Sequence, residues 1–214
     1  RYGVLHLLPG DLQTVEDVLQ AAAGYKKEQQ EALIQEKRSF HWPDEDRPMP
    51  EIPPGETIQE VFLRSVERNG KGIACFDRLS GPLSYRKLKL AALLLADKIK
   101  AMPGDKIGVM LPSSCGVYLT IFAVLLAKKV PVMINWTAGS KALDHSADLA
   151  GIEAVITSSK FLDRMESGDL GKIENRFHFI EEIRTAIRLK DKIRIFLRSK
   201  RSAQSLLKKL DLLN

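Results

Sequence analysis

The sequence predicts an α/β fold, a doubly wound, mostly parallel sheet with flanking helices, preceded by a helical extension. Three observations carry this. Short continuous apolar runs at Ile107 to Leu111, Val130 to Asn135 and Ala154 to Thr157 alternate with stretches of helical period, the pattern of parallel strands covered on both faces. A block of prolines, Pro43, Pro48, Pro50, Pro53 and Pro54, separates this region from what precedes it. And 214 residues at 44% hydrophobic content suffice for one core with room for flanking segments.

Residues 1–56 are expected to be a helical extension and a Pro-rich linker. Thr14 stands three before Asp17 as a capping pair, Val15, Val18, Leu19 and Ala22 share a stripe, and Gly24 interrupts it. From residue 57 the signals become regular. Thr57-Ile58-Gln59-Glu60 is a capping box that opens a helix with Ile58, Val61, Phe62, Ser65 and Val66 on one face, and Asn69-Gly70 ends it. Ile73 to Phe76 and Leu83 to Tyr85 flank Ser80-Gly81-Pro82 as a hairpin. Tyr85, Leu88, Ala91, Ala92, Leu95 and Ile99 recur at helical spacing until Pro103-Gly104. Further helices are expected from about Cys115 to Lys128 and about Ser140 to Ala150, and a short strand at Phe177 to Ile180.

In a doubly wound sheet, ligands collect beyond the carboxyl ends of the strands. That places Pro112-Ser113-Ser114, Asn135-Trp136-Thr137 and Thr157-Ser158-Ser159 on one rim. Asn135, Trp136 and Thr137 are the candidate wall of a substrate pocket. The alternative is that Asn135 and Thr137 make turn and cap hydrogen bonds while Trp136 packs.

The charge is uneven. Between Arg184 and Leu210 ten Lys and Arg stand against Asp191 alone, a local +9 in a chain of net +6, so the remainder is slightly acidic. Residues 184–214 therefore read as a basic amphipathic helical segment. Its apolar face is expected to be Leu189, Ile193, Phe196, Ala203, Leu207 and Leu210, broken by Lys200. Three destinies suit such a segment: a solvated helix face, an anionic membrane surface met through 184–210, or an acidic partner. Nucleic acid fits less well, since Phe196 is the tail's one aromatic residue and no binding fold accompanies it.

Cys75 and Cys115 lie in apolar runs without metal-ligand spacing, as buried thiols of a reducing compartment do. The apolar stretch Val117 to Ala127 is about half a membrane span. Starting at Arg1 without a signal sequence, the chain reads as a cytoplasmic fragment of something longer. His6 and Asp11, and His41 and Asp46, have the spacing of a glycerolipid acyltransferase pair, but neither has the surrounding residues, and chance accounts for both.

The run Leu83-Ser84-Tyr85-Arg86-Lys87-Leu88 resembles an early signature of the adenylate-forming (AMP-binding) superfamily. Leu125 to Gly139, ending Asn135-Trp136-Thr137-Ala138-Gly139, resembles the second signature of one branch. So does Thr157-Ser158-Ser159-Lys160-Phe161-Leu162-Asp163. That branch is the fatty acyl-[acyl-carrier-protein] ligases fused to a lysophospholipid acyltransferase. Trp136 departs from the Tyr or Phe more usual there.

The resemblance covers roughly 57–183 and makes this segment the partial N-terminal subdomain of such a ligase, its sheet incomplete. It implies a parent that uses ATP and Mg2+ to join a fatty acid to AMP and then to the thiol of acyl carrier protein. Acyl transfer to a lysophospholipid would follow, at or near the inner face of the membrane. The phosphate-gripping loop, its Lys and the mobile C-terminal domain of the family match no residue here, nor does any Gly-x-Gly-x-x-Gly or Gly-x4-Gly-Lys-Ser/Thr loop occur. No catalytic, cofactor-binding or metal-binding residue is therefore assigned, and the chain alone is expected to bind no cofactor and to be inactive. The alternative from another class is a non-catalytic binding or scaffold module whose basic helix docks to a membrane or to an acidic carrier protein.

Overall fold

The structure is a computed structural model and describes residues 51–78, 80–165 and 169–212. The helical extension expected over 1–56, apart from 51–56, lies outside the described residues, as do both His/Asp spacings; residues 51–55 form no regular element.

Helix α1 (Ile58–Asn69) starts where the capping box places it: the Thr57 side chain accepts from the Glu60 amide. The Glu60 carboxylate reaches back one residue further than expected, to the Glu56 amide. Gly70 ends the helix with φ +36, a backbone state side chains rarely adopt, and its N–H returns to the Val66 carbonyl. Phe62, Leu63 and Val66 turn inward, while Ile58, expected on that face, is 62% exposed. Strands β1 (Ile73–Asp77) and β2 (Gly81–Ser84) pair antiparallel as the expected hairpin and form a separate two-stranded sheet. Ser84 then caps α2 (Tyr85–Ile99).

The main sheet holds β3 (Lys106–Val109), β4 (Val130–Met133), β5 (Ala154–Thr157) and β6 (Phe177–Phe179) in the order β4-β3-β5-β6, every pairing parallel. Between them run α3 (Cys115–Leu126), α4 (Ser140–Ala150), α5 (Ser159–Met165) and a 3-10 turn at Lys172–Arg176. The α/β expectation is thus what the chain adopts. In β5, Ala154 and Ile156 join the larger core with α1, α2 and α3, while Val155 joins a second core with Leu143 and Ala147 of α4. Alternate residues of a strand point to opposite faces, so a strand buried on both faces is apolar at Ala154, Val155 and Ile156, and the buried Thr157 at its end meets its hydroxyl's need with Met110 O.

Gly108 lets β3 and β5 approach. A Cβ there would meet Val155 Cγ2 at 2.8 Å and Ile152 Cγ2 at 3.2 Å. On the outer strand β4, the Val130 amide donates to Asp105 O and the Ile134 amide to Val109 O, so the N–H groups of even-numbered residues point inward. Pro131 and Met133 occupy the outward positions.

The basic segment corrects the sequence. After α6 (Ile180–Thr185) it forms two helices, α7 (Leu189–Ser199) and α8 (Ala203–Leu210). In α8 the expected face is right: Ala203, Leu207 and Leu210 are buried, with Leu206 beside them. In α7 it is wrong: Leu189, Ile193 and Phe196 are 71%, 53% and 49% exposed, with Leu197 beside them at 61%, and Ile195 is the residue at 0%.

Buried Ile195 and a set of ion pairs that hydrophobic periodicity cannot register go with this seating. Asp97 of α2 accepts from Arg194 at 3.0 Å and from Arg198 at 3.4 Å, and Lys98 donates to Asp191 at 3.4 Å. With Ile195, these contacts put Asp191 and Arg198 on the side facing α2, while Lys190, Lys192 and Arg194 stay exposed alongside the apolar stripe. Among the described residues no helix is long and apolar enough to cross a membrane.

Candidate functional site

The three loops expected on one rim do meet there, because β3, β4 and β5 are parallel neighbours and end together. The Met110 amide donates to Ile156 O at 3.0 Å, Ile134 to Val109 O at 3.0 Å, and the buried Thr157 hydroxyl to Met110 O at 2.9 Å. Thr157 at 0% exposure thus ties the β3 and β5 ends together and does not face a ligand.

Asn135 and Thr137 are exposed. The Asn135 Oδ1 accepts from the Thr137 amide at 3.2 Å and from its hydroxyl at 2.8 Å, closing the turn between β4 and α4. Trp136 is half-buried and meets Phe161 edge-to-face at 5.0 Å, joining α5 to this turn. All three residues therefore have structural contacts here, and they stand on the rim next to the open ends of the sheet.

Two acidic residues that sequence reasoning did not select organise the rim. Asp77, in the hairpin, accepts from the Cys115 amide at 2.7 Å and from Ser80 N at 2.5 Å. It performs the capping that Ser114 does not, since Ser114 donates instead to Pro112 O at 3.0 Å. Glu181, just after β6, accepts from the Ser158 hydroxyl at 2.6 Å and the Ser159 amide at 3.3 Å. Burial pushes its carboxyl up, but the hydrogen bonds from Ser158 and from backbone amides outweigh this and hold it below its ordinary value. Both contacts span distant parts of the chain; the one available hint was an acid close to the end of a strand.

Cys115 is buried and Cys75 only half-buried, which corrects the expectation of two buried thiols; both are free. Burial first, then the Cys75 and Asp77 side chains, push the Cys115 thiol up to about 12. A thiol so raised is a poor nucleophile at neutral pH.

An adenylate-forming reaction needs donors and cations around a triphosphate. The rim residues do not fit that group. The Asn135 Oδ1 is engaged by Thr137, and the hydroxyls of Ser158, Thr157 and Ser114 donate to Glu181, Met110 O and Pro112 O. Among the described residues no group of three His, Cys, Asp or Glu side chains is placed to hold a metal ion.

A family model described as AMP-binding enzyme matches residues 62–206. Among solved structures, VinN is similar over 70% of this chain and 38% of its own, at 18% identity and a TM-score of 0.52. O-succinylbenzoate coenzyme A synthetase (MenE) from Bacillus subtilis, in complex with AMP, is similar over 58% of this chain and 32% of its own, at 15% identity and a TM-score of 0.49. A benzoate CoA ligase from Burkholderia xenovorans is similar over 60% and 28%, at 17% identity and a TM-score of 0.47. The likeness to VinN is one of fold. This chain spans 28% to 38% of the length of these three structures. The family match extends from the inward face of α1 through the sheet to α8, and on it the chain belongs to the AMP-binding enzymes.

Proposed function

We propose that this chain is the N-terminal part of an ATP- and Mg2+-dependent ligase that joins a fatty acid to AMP and then to the thiol of acyl carrier protein. Delivery of the acyl group to a lysophospholipid is the reading's last step. The observation that carries it is the turn Asn135-Trp136-Thr137-Ala138-Gly139, which resembles the fatty acyl branch and stands at the carboxyl end of β4. In this reading Asn135, Trp136 and Thr137 form part of the acyl pocket wall, and the groups that grip the nucleotide come from elsewhere in the parent. The residues of this chain supply support: Thr157 and Glu181 hold the rim, and Trp136 fixes the turn against Phe161.

The test is ATP–pyrophosphate exchange by the full product of the reading frame that contains this chain, with fatty acids and aromatic acids offered in parallel. Exchange driven by fatty acids, followed by a thioester on acyl carrier protein, is expected; the 214-residue chain alone should remain at background. Exchange driven by aromatic acids only would overturn the fatty acid assignment. Exchange by the chain alone would mean that the nucleotide is held by residues described above. Trp136→Ala in the parent should raise KM for the fatty acid with less effect on KM for ATP.

A further inference from the structure

We propose that α7 and the basic groove beside it form a docking face for an anionic lipid bilayer. The inference does not rest on the ligase reading. A helix on a protein surface ordinarily turns its apolar side inward. Here Ile195, with Asp191 paired to Lys98 and Arg198 paired to Asp97, faces α2, and Leu189, Ile193, Phe196 and Leu197, spaced four, three and one apart, make one exposed stripe along the helix. Lys190 and Lys192 border the stripe and are exposed. The one acid of α7, Asp191, is spent on Lys98 and Arg194.

At the C-terminal end of the stripe opens a groove of about 820 Å³, and Phe196 is part of its wall. Arg86, Lys87, Lys89, Lys200 and Arg201 line it, against a single carboxylate, Glu67, whose Oε1 is taken by the Ala203 amide at 2.6 Å. Lys200 lies 4.7 Å over the Phe196 ring, so cation and aromatic surface are presented together.

The charge calls for an anionic occupant. A second copy of this chain would bring the same cations to the face and repel. A convex apolar stripe bordered by lysines matches the boundary between acyl chains and headgroups, with the stripe in the former and the groove taking lipid phosphates.

The 214-residue chain should be co-sedimented with vesicles of phosphatidylcholine and of phosphatidylcholine mixed with phosphatidylglycerol. Binding is expected to the mixed vesicles, weakened by salt. Lys200→Gln with Arg201→Gln should lower the partition coefficient on the order of 25-fold, from about fivefold for each surface cation removed. Ile193→Ser with Phe196→Ser should lower it at least about tenfold, through lost apolar insertion. These positions are exposed, and circular dichroism checks that the variants stay folded.

As an independent readout, Leu197→Trp should gain quenching from brominated phosphatidylglycerol beyond that of the unsubstituted chain. Absence of binding to the mixed vesicles overturns the proposal, as does binding that both double variants leave intact. It is also overturned if an acidic carrier protein binds where vesicles do not, or if sedimentation velocity finds a dimer abolished by Phe196→Ser.

Discussion

Ile195→Ala and Ile193→Ala form a matched pair that tests the inverted seating of α7. Both substitutions remove the same atoms from the same helix, and both gain the same helix propensity, about 0.4 kcal/mol. Ile195 is at 0% exposure and Ile193 at 53%. Removing three buried carbons at about 0.8 kcal/mol each costs ~2.4 kcal/mol, and the cavity left between α7 and α2 adds about 1 kcal/mol. Net of propensity, Ile195→Ala should destabilise by roughly 3 kcal/mol. At Ile193 about half the transfer cost applies, with no cavity, leaving about 0.7 kcal/mol. Urea unfolding followed by circular dichroism reads both. With a slope of about 2 kcal/mol per molar, the midpoint should fall by roughly 1.5 M for Ile195→Ala and by less than about 0.4 M for Ile193→Ala. If the order is reversed, α7 carries its apolar stripe inward, and the seating of α7 on Ile195 is wrong.

Gly108→Ala drives a methyl group into Val155 and Ile152 and should cost about 1–3 kcal/mol, again read from the urea midpoint. Thr157→Val keeps the shape but deletes the hydrogen bond to Met110 O, leaving that carbonyl short of a partner, and should cost about 1 kcal/mol. Glu181 titrates below its ordinary 4.5 in the folded chain, so the unfolded state binds more protons. Its stabilisation is complete above that value and is lost as pH falls through the lower, folded value. Stability of Glu181→Gln followed from neutral pH to pH 3 should therefore fall less steeply than that of the unsubstituted chain, and an unchanged slope would remove Glu181 as the group that pins Ser158.

Much of the sheet was legible because its signals are local. The continuous apolar run at Ala154 to Thr157 and the helix from Ser140 to Ala150 appear at the expected residues, the latter ended by Gly151 in the left-handed conformation. The hairpin and the α1 cap were legible for the same reason: a turn or a cap is written within four residues. What remained hidden depends on partners far along the chain. Asp97 pairs with Arg194, 97 residues away on α7, and Asp77 caps α3 from 38 residues upstream. Of the candidate wall, the strand-end position of Asn135, Trp136 and Thr137 was legible from the alternation of strands and helices. Their present partners were legible only as the alternative in which two of them close a turn and the third packs.

The outer edge of β4 has a bearing on how this sheet can grow. Only Pro131 and Met133 direct their backbone nitrogens away from β3, and proline has no hydrogen to offer. A fifth strand arriving on that flank would find one donor where a regular ladder of this length supplies two, so stacking of misfolded copies through β4 is discouraged. Enlargement of the sheet, by later segments of a longer polypeptide or by accident, is thereby steered to the opposite border at β6.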